Sequence, residues 1–321
     1  MTEKLKGTTK FLLTIGIAAG LIYAFINHQA IIDEWRLRGY DPPKEIVRLA
    51  DRTTMNDDTR RLFYVNRPAI EDKERFRQSC ENIESDMLLG CYAPNKGIFL
   101  LRVDDKRLDG VHEVTAAHEV LHAIYDRLSA DERRSVDKMT QAALKEVTNE
   151  RILETVEEYR KDDSHSVPNE LHSILGTSVR HLSEDLEAHY SRYFKNRQKI
   201  VDYLDSYQNE FISREKRAKN LRGQLHNLNS QISNASQQLE SMRADLDSQH
   251  QSLEAKRDDT DQEVFNSEVR EYNSNVKEFT SLVDYHNELV RQYNSLRDEH
   301  NALVVEEKEL IKAIDSRAPA L

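Results

Sequence analysis

The sequence predicts an α+β domain, with a small N-terminal sheet followed by helices. One transmembrane helix precedes it and a long antiparallel α-helical coiled-coil hairpin follows. Three observations carry this reading. An apolar run near the start has lysines before it. A turn-centred pair of strand patterns then precedes a helix-periodic segment. The last third has no Pro between Asn169 and Arg317 and no Gly after Gly223. A stretch so free of breakers reads as long helix.

The chain has 321 residues, enough for about two domains. Its net charge of −11 argues against a general affinity for nucleic acid, which needs a basic face. Phe11–Ile26 is apolar, follows Lys4, Lys6 and Lys10, and extends to Ile32 across Asn27, His28 and Gln29. The extended run reaches the length of a membrane span, about 20 residues. A cleaved signal peptide is the rival, but no small-x-small site follows the run. Basic flanks stay cytoplasmic. The expected topology is therefore a cytoplasmic N-terminus over 1–10, an anchor in the cell membrane over 11–32, and everything later outside the cytoplasm.

Cys80 and Cys91 have no Cys-x-x-Cys spacing, so neither a thiolate metal site nor a thioredoxin-type site is indicated. In an oxidising compartment they would form a disulfide closing a loop of about a dozen residues, adding about 3 kcal/mol. Two unpaired thiols are the alternative.

Leu62–Val65 reads as a strand, and Met87–Val103 as a β-hairpin turning at Pro94-Asn95-Lys96-Gly97, with Ile98–Val103 its second strand. Val111–Leu128 is helical, because Val114, Ala117, Leu121, Ile124 and Leu128 recur at three- and four-residue steps. Ser129 and Glu132 form a capping box that opens a helix running to about Arg160. Pro168 opens a short helix over Asn169–Leu175, closed by Gly176. Ser183, followed by Glu184 and Asp185, starts another that continues past Phe194.

From residue 199 to 318 the pattern is heptad. One seam runs from Ile200, Leu204, Tyr207 and Phe211 to Leu253, alternating steps of four and three. A second places Leu282, Leu289, Leu296, Leu303 and Leu310 seven apart. Between them Lys256–Asp261 is wholly polar. Nearly equal arms around a polar break, each about 85 Å long, indicate a hairpin. A continuous rod pairing between chains is the alternative. Val269, Val276, Val283 and Val290 widen the second stripe, so a further helix, from another copy or a partner, is expected there.

The chemistry lies in His118-Glu119-Val120-Leu121-His122, an H-E-x-x-H pattern. Two His one turn apart share a helix face and can converge on one Zn²⁺. Glu119 is rotated by about 100° from His118, so it reaches water beside the metal rather than the metal itself. That suits a general base in hydrolysis. Apart from the motif's own residues, Val114–Ile124 is uncharged, as a buried metal helix requires. The bland alternative is a pair of ordinary surface or core histidines.

The motif and its uncharged flanks resemble the zincin metallopeptidases. The resemblance covers roughly residues 62–194 and implies a zincin-like metallopeptidase domain over 33–198. In that fold an edge strand holds an extended peptide, here expected at Ile98–Val103. The metzincin continuation is absent, since no His follows at the required position after His122. The gluzincin pattern takes a Glu from a later helix, and Asn169-Glu170-Leu171-His172-Ser173 resembles its thermolysin-type segment. Glu170 is then the third ligand, with His165, His172, Glu184 and Glu187 as rivals. Ile174 stands where that segment carries an Asp supporting a ligand His. Candidate oxyanion donors are His189 and Tyr190. The resulting expectation is a zinc peptidase acting on peptide or protein substrates, with Glu119 as base. The alternative is a non-catalytic envelope scaffold or tether with a degenerate site and a partner-binding coil.

Overall fold

Among the described residues helix accounts for 77 %, and the sheet has three short strands, so the α+β class is corrected to a predominantly helical one. The computed structural model describes residues 21–81, 88–162, 165–257 and 261–317. They fall into two compact units. The first ends at Asn209 and takes back the chain from Ile311; the second is Glu210–Leu310.

The membrane anchor is also corrected. Of the segment 11–32, residues 11–20 lie outside the described residues, and among the described residues no helix is long and apolar enough to cross a membrane. Helix α1 (His28–Leu37) carries Asp33, which is buried and receives Arg127 at 2.6 and 2.8 Å. That ion pair ties α1 to the end of the motif helix. The single-pass topology, and the placement outside the cytoplasm that rested on it, fall with the anchor.

After α2 (Lys44–Arg52), the predicted strand Leu62–Val65 is the last turn of a helix, α3 (Asp57–Val65). A four-residue apolar run is ambiguous between strand and helix. Here the cap decides: the Asn56 side chain accepts the Thr59 N–H, and Asp57 and Asp58 occupy the first turn. Strand β1 (Ala69–Glu71) and helix α4 (Lys73–Ser79) follow.

The hairpin forms as β2 (Gly90–Ala93) and β3 (Gly97–Leu101), with Asn95 at φ 66° in its turn. Met87 lies outside the described residues. The strand order is β1-β3-β2, with β1 parallel to β3. The strand expected at the edge, Ile98–Val103, is therefore central, and β2 is the edge. Cys80 and Cys91 stand as a disulfide, with Cα atoms 6.0 Å apart, and fasten β2 to the end of α4.

Helix α5 (Val111–Arg127) carries the motif and is buried along most of its length. The Ser129–Glu132 capping box starts α6 (Ala130–Leu144). The helix expected to reach Arg160 breaks after Leu144 and restarts as α7 (Glu150–Asp162), where the Asn149 side chain accepts the Arg151 N–H. Between α7 and the next helix, residues 163–164 lie outside the described residues.

Helix α8 (Val167–Ser178) contains Gly176 rather than ending at it. A Cβ there would meet Leu121 Cδ1 at 2.6 Å and Tyr190 Cε1 at 2.8 Å. The glycine serves close approach of α8 to α5. Helix α9 (Glu184–Ser191) stops before Phe194. The backbone beyond it bonds elsewhere: Tyr193 O accepts from Asn56 N at 2.9 Å, and Lys195 N donates to Thr54 O at 2.8 Å.

Helices α10 (Gln198–Lys256) and α11 (Gln262–Ile314) supply the second unit. Of the polar break, residues 258–260 lie outside the described residues. Partners advance on one helix as they retreat on the other: Arg214 with Glu306, Ser236 with His286, Gln249 with Asn275, Lys256 with Glu268. The two helices therefore pair antiparallel, with Ala218, Leu221 and Leu303 in a buried cluster.

Gly176→Ala tests the α5–α8 contact. Leu121 and Tyr190 are fully buried and have no room to yield. Overpacking should destabilise the fold by about 1–3 kcal/mol in urea unfolding, despite alanine's better helix propensity. A neutral or stabilising result would mean the two helices are not in this contact.

Candidate metal centre

The site starts from α5. Its Ala116, Ala117, Val120 and Leu121 are fully buried, which fixes the helix's rotation and sends His118 and His122 to the same open side. Their rings stand 4.7 Å apart edge to face. Helix α8 brings Glu170 against them. The carboxylate lies 3.5 Å from His118 Nε2 and 3.5 Å from His122 Nε2. The ligand atoms of all three residues lie within 4.8 Å of one another, a group able to hold a metal ion. At 3.5 Å these nitrogens are too far to hydrogen-bond the carboxylate well. Ligands on one tetrahedral Zn²⁺ sit about 3.3 Å apart, given bond lengths of about 2.0–2.1 Å. Glu170 Oε2 is buried with no hydrogen-bond partner, which a cation would supply.

Electrostatics agree with that donor set. Burial holds the His122 ring down to about 4 despite the nearby Glu170 carboxylate, so it is neutral and can ligate. Burial opposes charge on His118 too, but the Glu170 and Glu119 carboxylates outweigh it and raise its proton affinity. Burial disfavours the Glu170 carboxylate, but His118, His122 and Tyr159 overcome this and lower its proton affinity.

Glu119 points to the sheet side of the same cleft. Burial, with Glu170 adding to it, pushes its carboxyl up to about 7 against the pull of His118 and a Tyr92 backbone hydrogen bond. Gly90 of β2 makes room for it. A Cβ there would strike Thr115 Cγ2 and come 2.9 Å from Glu119 Oε1. The edge strand and Glu119 are therefore in direct apposition.

Two residues that sequence reasoning did not assign complete the surroundings. Asn169 Oδ1 lies 3.0 Å from His122 Nδ1. With the proton on Nδ1, the ring donates to Asn169 and turns its Nε2 lone pair toward Glu170. This is the support that the Asp missing at Ile174 was expected to give. Its signal was in the sequence, since Asn169 immediately precedes Glu170. Tyr159 of α7 stands beside Glu170, and burial keeps its phenol protonated. Nothing marked Tyr159 beforehand, because its place beside Glu170 depends on how α7 packs. The cleft over these groups encloses about 570 Å³, between β2 on one side and α7 on the other.

The structure does not bring His189 and Tyr190 to the cleft, so their assignment as oxyanion donors is corrected. Both are buried behind the site: the Tyr190 hydroxyl donates to His172 O at 2.7 Å, and the Nε2 atoms of His189 and His172 are 2.9 Å apart. His172 is not among the residues whose ligand atoms come together. Glu187 pairs with Arg197, and Glu184 and His165 are exposed away from the ligand group. No protein-family model, curated protein or solved structure matches the chain.

Two predictions follow from this geometry. Asn169→Ala should weaken metal binding about 10–100-fold in a chelator competition, with the fold intact by circular dichroism. Unchanged affinity would remove Asn169 from the site. The second concerns pH. In metal-free protein the Glu119 carboxyl titrates near 7, against an ordinary 4.5. Between those values the folded chain keeps a proton that the unfolded chain releases, so stability falls as pH rises. Glu119→Gln removes that loss. Its stability advantage over wild type should grow from near zero at pH 4 to about 3 kcal/mol at pH 8. A pH-independent difference would show that Glu119 is not held in this environment.

Proposed function

We propose that the chain is a zinc-dependent peptidase, as its resemblance to zincin metallopeptidases implies. The observation that supports this best is the convergence of His118, His122 and Glu170 on one point of an open cleft. Glu119 faces the same cleft beside an edge strand. Two His and one carboxylate with an open side match a catalytic rather than a structural zinc site. When bound, Zn²⁺ supplies Lewis acidity, polarising a carbonyl and acidifying water.

The chain's own groups do the rest. Edge strand β2, beside Glu119, is the strand along which an extended peptide would lie, aligning the substrate along the cleft. Glu119 takes a proton from the attacking water and delivers it to the leaving amine. A carboxyl with a proton affinity near neutrality suits both transfers. Tyr159, protonated and beside Glu170, is the hydroxyl we assign to the developing oxyanion. Asn169 fixes the His122 ring.

The long antiparallel helices favour a second reading, a partner-binding scaffold with a non-catalytic metal site. A structural site has no use for Glu119 in the cleft, which weighs against it. Zinc analysis with peptide-library cleavage separates the two. The peptidase should carry about one zinc per chain. Glu119→Gln should keep that zinc and lose at least about 10²–10⁴-fold in hydrolysis. Full activity in Glu119→Gln would end the mechanism, and zinc without cleavage by wild type would favour the scaffold. Glu170→Ala should lose most of the metal; retained zinc would reassign the third ligand.

A further inference from the structure

Helix α11 carries a second stripe besides the seam it turns to α10. Val269, Val276, Val283 and Val290 recur every seven residues, and Val276 is 36 % exposed. Four residues after each valine stands a polar group, Asn273, Thr280, Asn287 or Asn294, and Asn266 extends that column by one heptad. Columns separated by steps of four and three lie side by side on a helix. At about 100° per residue, this pair of columns is centred roughly 100° around α11 from the seam shared with α10. Pairing with α10 therefore covers the valines only in part. The apolar column ends at Gln262 on one side and Arg297 on the other. The polar column reads the same from either end about Thr280, and the valines are centred half a residue from it. A surface that reads alike in both directions fits a copy of itself turned end over end.

We infer that this stripe is the interface of a homodimer, in which α11 pairs antiparallel with α11 of a second copy across a twofold axis at Thr280. The axis sets Val276 of one copy level with Val283 of the other, and Val269 level with Val290. Asn273 meets Asn287 in the same way, so apolar levels meet apolar ones and amides meet amides. Charge agrees with that register. Lys277 and Asp284 flank the stripe on the side away from α10, and among the described residues neither has an ion-pair partner. The axis places Lys277 of each copy beside Asp284 of the other. A slip of one heptad would lose a valine level and part these charges. The valines stabilise the pair by leaving water, while the polar levels cost stability and reject registers that set an amide against a valine. This interface is independent of the peptidase reading.

Sedimentation equilibrium of the full chain tests this. Its mass should rise from 37.4 kDa toward twice that value as concentration climbs through the micromolar range. Val276→Lys should raise the dissociation constant at least about tenfold, because it sets an ammonium against Val283 at two symmetric levels. Helix content by circular dichroism should hold, since lysine is a good helix former. Lys277→Asp should weaken the dimer, and adding Asp284→Lys should restore it. Cross-linking reads the orientation. The two native cysteines are bonded to each other, so an added cysteine is the only free thiol. Under mild aerobic oxidation Thr280→Cys should give a covalent dimer. Val269→Cys alone should not, because its two copies would stand about 30 Å apart. A monomer at every concentration would overturn the inference. So would a dimer untouched by Val276→Lys, a loss in Lys277→Asp that Asp284→Lys fails to restore, or cross-linking of Val269→Cys with itself, the mark of a parallel pair.

Discussion

The close contact of α8 on α5 is the constraint on which the rest of the site depends. His118 and His122 can share a face on any helix with their spacing, but two imidazoles do not make a catalytic centre. The third ligand has to arrive from another element at a separation of a few ångströms. Gly176, set against Leu121 and Tyr190, lets the helix axes approach where any side chain would hold them apart. Leu171 and Leu175, both fully buried, stabilise the contact by burying apolar surface. Glu170 and Asn169 ride on the same rigid element, so ligand and ligand-orienting group move together.

This arrangement concentrates ionisable groups in a place where burial opposes their charge. Burial works against His118, His122, Glu119 and Glu170 alike, and their partners decide which of them stays charged. The result is a neutral His122, a charged Glu170 and a Glu119 near the midpoint of its titration at neutral pH. Apolar packing of α5 against the sheet and α8 has to outweigh that electrostatic penalty, and the helix is accordingly lined with small and branched apolar residues on every side but one. A divalent cation relieves the penalty, because it satisfies the buried Glu170 oxygen and both imidazoles at once.

What the sequence made legible follows from the range of the forces involved. His118, Glu119 and His122 could be read because their relation is local to one helix. The Ser129 capping box, the Asn95-centred turn and the periodicity of α5 are local in the same sense. Leu62–Val65 was misread because four apolar residues carry no period, and the deciding signal was the Asn56 cap six residues upstream of Leu62. Edge and centre of the sheet were exchanged because β1, a three-residue strand, pairs in parallel across a long connection that periodicity does not reveal. Tyr159 and the inward-turned His189 and Tyr190 depend on how α7 and α9 rotate against the core, which is set by tertiary packing alone. The apolar run before His28 resembled a span by composition, but among the described residues no helix is long and apolar enough to cross a membrane.

The long helix α10 shows the same limit in one continuous element. Its steps of four and three persist from Ile200 to Leu253, so the pattern by itself describes a single seam. The surroundings of that seam differ along its length. At the root, Ile200 is fully buried in the core of the first unit, and Leu204 and Tyr207 border the cleft. From Ala218 onward the same positions pack against α11. A heptad repeat records that a face is covered, not what covers it. The residues at the root therefore satisfy two demands together: they keep the helical stripe apolar, and they give the cleft an apolar wall. That dual use explains why a cleft-lining surface was read as ordinary coil, since the repeat asks only that these positions be apolar.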